Sequence, residues 1–74
     1  MSLKTIQNAI GRKLKKIRLD KNFSQEYVSL EVGISRDHLS NLENGKFPIN
    51  IKTLYKLACF YEVNFEYFFL GLKH

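Results

Sequence analysis

Residues Ser24–Lys46 read SQEYVSLEVGISRDHLSNLENGK, and the punctuation of this stretch decides the fold. Ser24 suits a helix N-cap, because a serine hydroxyl can accept from an unpaired amide of the first turn. A short helix from Gln25 to Val32 follows, with Tyr27, Val28 and Val32 as its inward positions. Gly33 closes it where a left-handed backbone is usually required. Ser35 caps the next helix, and Asp37 in its first turn suits the positive end of the helix dipole. That helix runs to about Asn44 and stops at Gly45. Its strongly apolar side chains are few: Leu39 and Leu42, with Ile34 in the turn before. Arg36, Asp37, His38, Ser40, Asn41 and Asn44 occupy most of the rest, nearly all able to hydrogen-bond.

The flanks are helical too. Ile6, Ile10, Leu14 and Ile17 recur at helical spacing, with Leu3 one turn earlier, which predicts an amphipathic first helix over about 4–21. After Gly45 a loop with the single proline, Pro48, leads to Asn50, a cap for a fourth helix from Ile51 to about Tyr61. Ile51, Leu54, Tyr55, Leu57, Ala58 and one of Phe60 or Tyr61 are its expected buried residues. Asn64 can cap a fifth, with Phe65, Phe68, Phe69 and Leu72 on one face at the i, i+3, i+4, i+7 spacing. No strand, repeat or linker interrupts the series, so the 74 residues predict one all-α domain of five short helices.

Composition narrows the functional classes. A single cysteine excludes an internal disulfide, and no apolar run approaches the roughly 18 residues of a membrane span. The opening MSLKTIQNAIGRK has no apolar stretch long enough for a secretory signal, which predicts a cytoplasmic protein. The net charge of +5 is unevenly placed. Residues 1–22 hold seven cations against Asp20 alone, a net +6, whereas residues 23–74 sum to −1. A basic segment on a nearly neutral body suits a polyanionic partner, but an ordinary solvated helix face would look the same.

The two central helices go further. Ser24 to about Asn44 has the length of a helix-turn-helix, in which two helices cross steeply and the second is presented outward. Ser29 supplies a small side chain at the crossing, Val28, Val32, Leu39 and Leu42 supply anchors, Ile34 plugs the turn, and Gly33 frees the backbone. Anchoring on Leu39 and Leu42 turns Arg36, Asp37, Ser40 and Asn41 away from the core. An α-helix fits the major groove of B-form DNA, where arginine pairs with guanine, asparagine with adenine, and aspartate can accept from cytosine. Residues at the helix start reach deepest, which favours Ser35, Arg36 and Asp37, with Asn41 one turn behind. A merely wet surface remains the competing reading of that face.

The segment IGRKLKKIRLDKNFSQEYVSLEVGISRDHLSNLENGK resembles the Cro/lambda-repressor type (Xre-like) helix-turn-helix family. The likeness runs from about Ile10 to Phe69 and is carried by KKIR, SQE, VGIS and LSNLENGK. It implies a compact five-helix DNA-binding domain. By position it implies that Gln25, with Ser24, grips a phosphate, that Arg36, Asp37 and Asn41 read bases with help from Ser40, and that Asn44, Lys46 and the amides after Gly45 clamp the neighbouring backbone. Pro48, which has no N–H, departs from a fully donating loop. The resemblance also implies an ion pair between Arg18 and Glu43.

Surplus apolar surface near the C-terminal end, with Phe60, Tyr61, Tyr67 and Leu70 as its residues, predicts a homodimer; the resemblance adds a palindromic operator and a nucleoid-associated regulator. The alternative is a protein-interaction module, an antitoxin or adaptor using the same fold. Catalysis finds little support. Cys59 reads as a small core residue, His38 lies on the polar side of its helix and His74 is terminal, so neither a nucleophile–base pair nor a zinc ligand set is spaced correctly. No glycine-rich phosphate loop is present, and no cofactor is expected.

Overall fold

The computed structural model describes residues 2–46 and 48–72. Helix α1 spans Leu3–Asp20, α2 Gln25–Val32, α3 Arg36–Glu43 and α4 Ile51–Tyr61, and a 3₁₀ helix spans Phe65–Phe69. The caps are side-chain chemistry. The hydroxyls of Ser2, Ser24 and Ser35 accept from the amides of Thr5, Tyr27 and His38 at 3.1, 3.0 and 3.0 Å. Asn50 Oδ1 accepts from Thr53 at 3.2 Å. Gly33 ends α2 in the left-handed region at φ +86°, and its amide and that of Ile34 both donate to the Ser29 carbonyl.

One core joins every element. Ile10, Leu14 and Ile17 of α1 meet Val28 of α2, Leu39 and Leu42 of α3, Leu54, Leu57, Ala58 and Tyr61 of α4, and Phe68. Gly11 sets the depth of one crossing: a Cβ there would lie 2.5 Å from the Leu42 carbonyl oxygen and 2.7 Å from that of Glu43. Only a glycine lets α1 run so close over the end of α3. Among the described residues, no helix is long and apolar enough to cross a membrane.

Several expectations are corrected. The fifth helix is 3₁₀, not α: the amides of Tyr67 and Leu70 bond to carbonyls three residues back. Five residues dominated by aromatics have little intrinsic helicity, and Asn64 makes no side-chain cap. Ile51 and Tyr55 are 73 % and 60 % exposed, and Cys59 is exposed rather than in the core. Helix α4 carries two apolar phases, and the Leu54, Leu57, Ala58, Tyr61 phase is the one that packs inward. Tyr27 points outward, its ring against those of Phe23 and Phe60 at centroid distances of 4.9 and 6.2 Å.

Candidate nucleic-acid interface

The orientation of α3 follows from what it buries. Leu39, Leu42 and Glu43 are sunk, so Arg36 and Asp37 in its first turn and Asn44 at its end are exposed, with Ser40 and Asn41 half-buried between them. Helical spacing makes Asp37, Asn41 and Asn44 the outermost line. Arg36 lies on the flank nearer α2, lining a polar cleft with Arg18, Ser24, Gln25 and Glu26. Ser35 is exposed beside it; its hydroxyl accepts the His38 amide and can still donate outward. Asn44 Nδ2 and Ser40 Oγ stand 3.5 Å apart, at the limit of a hydrogen bond.

Beneath this surface lies a buried charge cluster. Arg18 Nε donates to Glu43 Oε2 at 2.7 Å and its Nη2 to Oε1 at 3.0 Å, a bidentate pair with both residues under a tenth exposed. The remaining guanidinium nitrogen donates to the Phe23 carbonyl at 2.9 Å, closing the turn between α1 and α2. Hydrogen bonding to Glu43 raises the Arg18 pKa against the opposing effect of desolvation, so the guanidinium stays charged. Gln25 Nε2 donates to Glu43 Oε1 at 3.1 Å. A single carboxylate thus fixes α1, the first residue of α2 and the last residue of α3 together. The side chain expected to grip a phosphate is held from behind by one N–H, leaving its other N–H to donate outward.

The turn after α3 modifies a second expectation. The amides of Gly45 and Lys46 donate to the carbonyls of Leu42 and Asn41 at 3.2 and 2.9 Å, so they are spent in closing the helix. What remains there for a partner is the exposed Asn44 amide group and the Lys46 ammonium. The amide of Phe47 lies outside the described residues, as does His74. From the other side, the Asn8 side chain presses on this turn: a Cβ on Gly45 would meet Asn8 Oδ1 at 2.0 Å. Neither Asn8 nor Gly11 carries a local sequence signal for this contact, although both sit on the α1 line that carries Arg18.

Of the residues expected at a dimer contact, Tyr61 is 1 % exposed and belongs to the core. Its hydroxyl has no hydrogen-bond partner among the described residues, and burial, reinforced by the Glu43 charge and opposed by Arg18, pushes its pKa up to about 12. Phe60 is half-buried against Phe23 and Tyr61, and Tyr67 half-buried under Lys13, whose ammonium lies 5.2 Å from the ring centroid. Leu70 is exposed. The larger exposed apolar stripe, Ile51, Tyr55 and Cys59 along α4, lies where the sequence reading expects burial. Among the described residues no group of three His, Cys, Asp or Glu is placed to hold a metal ion.

Two capped helices crossing at a glycine turn, the second with a polar outer side, define a helix-turn-helix domain. Sequence comparison agrees: a helix-turn-helix family profile matches residues 14–68. An HTH-type transcriptional regulator of Methanocaldococcus jannaschii, itself uncharacterized, is 34% identical over 58 residues, covering 78% of this chain and 88% of the relative. A second such regulator, from Sinorhizobium fredii, is 34% identical over 53 residues (72% and 69%). The control protein C.MunI of a Mycoplasma species is 35% identical over 54 residues (72% and 73%). The chain therefore belongs to the helix-turn-helix family of Cro/lambda-repressor (Xre-like) type, a family of transcriptional regulators rather than enzymes.

Proposed function

We propose that this chain is a sequence-specific regulator of transcription that binds double-stranded DNA as a homodimer on a palindromic operator. The observation that carries the reading is the division of α3: Leu39 and Leu42 are buried while Arg36, Asp37 and Asn41 remain available on its other sides. Helix α3 enters the major groove, with Ser35, Arg36, Asp37, Ser40 and Asn41 at base edges, each good bidentate pair adding about 1–3 kcal/mol of discrimination. Ser24 and Gln25 at the start of α2 hold one stretch of backbone, and Asn44 and Lys46 the next.

The dimer forms through α4 and the 3₁₀ helix. Ile51, Tyr55 and Cys59 make an exposed stripe at i, i+4 spacing, extended through the Phe65 ring beside Tyr55 to the exposed Phe69. Lys52 and Lys56 lie on α4 itself, and Glu62 and Glu66 follow beyond its C-terminal end. An antiparallel two-fold pairing sets the cations of one copy against the acids of the other, and an isologous contact requires such self-complementarity.

Fluorescence anisotropy with a labelled random-sequence duplex, titrated with salt, tests the reading. If a dimer neutralises about 6–10 phosphates, affinity falls about 10³–10⁵-fold between 50 and 200 mM salt. Affinity indifferent to salt, or no binding at low salt, refutes it.

A further inference from the structure

The seven cations of residues 1–22 are not equivalent once their partners are counted. Arg18 is committed to Glu43 and the Phe23 carbonyl. Lys13 donates to the carbonyls of Tyr67 and Leu70, pinning the C-terminal segment to α1. Lys16 pairs with Asp20 at 3.0 Å. Lys4, Arg12, Lys15 and Lys21 remain, all exposed and without an ion pair or side-chain hydrogen bond among the described residues.

Two of the four lie on one line. Asn8 touches Gly45, Gly11 touches the Leu42 and Glu43 carbonyls, and Arg18 bonds Glu43, so the 8–11–18 line of α1 faces the end of α3. Lys4 is four residues before Asn8 and Lys15 four after Gly11, which places both on that same line. They flank the Asn44–Lys46 turn from either side, about 16 Å apart along the helix at 1.5 Å per residue, far enough to meet different phosphates.

Lys4 is also badly placed for α1 alone. It stands in the first turn, at the positive end of an 18-residue helix whose first turn holds no acid. Lys15 follows Arg12 at i+3, a like-charge spacing that weakens an isolated helix. Both placements cost the free domain stability, and an anion would offset both.

We propose that Lys4 and Lys15 form a second phosphate-binding strip, continuous with Asn44 and Lys46, which grips the DNA backbone outside the groove that α3 occupies. This inference rests on the DNA-binding reading and extends its footprint from the helix-turn-helix to α1. The other unpartnered cations on α1, Arg12 and Lys21, lie off the line, and Lys56 on α4 lines a groove with Val32, Cys59 and Phe60 instead.

The test is the slope of log affinity against log salt, measured by anisotropy on one labelled random-sequence duplex for wild type, K4A, K15A, the double variant and K21A. Circular dichroism checks each fold; alanine at an exposed helix position favours the helix. Each single variant occurs twice in the dimer and removes two phosphate contacts, so it is expected to lower the slope magnitude by about 1.8 and to shrink the fall in affinity between 50 and 200 mM about 12-fold, and the double variant by about twice that in slope. K21A should keep the wild-type slope, since Lys21 is exposed but off the line and outside the proposed dimer contact. Wild-type slopes in both K4A and K15A overturn the strip, as does an equal loss in K21A, which would reveal only an effect of net charge. Wild-type protein that binds no duplex at low salt overturns the DNA-binding reading itself, a result distinct from either.

Discussion

Replacing Glu43 with alanine removes the acceptor on which three helices converge. In the native structure its carboxylate takes two hydrogen bonds from Arg18 and one from Gln25, while the residue is 4 % and Arg18 7 % exposed. Truncation leaves a guanidinium charge buried with only the Phe23 carbonyl for company, a situation that costs about 3–5 kcal/mol, whereas an exposed pair would cost under about 1. A domain of this size is stable by about 4–11 kcal/mol in all, at roughly 0.05–0.15 kcal/mol per residue, so much of its stability is at stake. Urea unfolding followed by circular dichroism should show a midpoint sharply lowered at an unchanged m-value. The paired variant R18M/E43L, which removes both charges, should recover most of the loss, because the penalty comes from the unpaired ion. A cost below about 1 kcal/mol for E43A, or a double variant no better than E43A, refutes the buried-strut reasoning.

Gly11→Ala should lower the melting temperature, since its Cβ would collide with the backbone oxygens of Leu42 and Glu43; overpacking of about 1–3 kcal/mol outweighs the gain of about 1 in helix propensity, and calorimetry showing a stabilised variant would contradict the crossing. Tyr61→Phe should be neutral or stabilising at neutral pH, because it deletes a buried hydroxyl that has no partner among the described residues. The same residue sets an alkaline limit. The phenol ionises near 10 in the unfolded chain and at about 12 in the core, so its contribution is complete below pH 10 and lost as pH rises towards 12. Unfolding midpoints across that window should fall less steeply in Tyr61→Phe than in wild type. Tyr55→Glu, placed on the exposed stripe of α4, should yield a folded monomer by analytical ultracentrifugation; a dimer as tight as wild type would move the interface elsewhere.

What the sequence makes legible is what local chemistry decides. Ser24, Ser35, Asn50 and Gly33 perform their capping and turn roles in the folded chain, since a cap depends only on its neighbours. Leu39 and Leu42 had no rival apolar phase in α3, and their burial follows. Helix α4 is the opposite case: with apolar residues on two phases, periodicity alone could not tell the Leu54–Tyr61 face from the Ile51–Cys59 stripe, and the choice is made by partners distant in sequence. Gly11 and Asn8 escaped for the same reason, because their value lies in touching Glu43 and Gly45 more than thirty residues away. The charge of residues 1–22 read as one basic segment, yet Lys13, Lys16 and Arg18 are each engaged within the chain.

Selection of bound duplexes from a random-sequence pool, run in parallel with wild type and Arg36→Ala, bears most directly on the claim that α3 reads DNA. Wild type should enrich a two-fold symmetric consensus with half-sites about 34 Å apart, one helical turn. Arg36→Ala should keep that spacing and lose preference at one position in each half-site. A wild-type pool without consensus, or an Arg36→Ala consensus identical to it, would contradict the account.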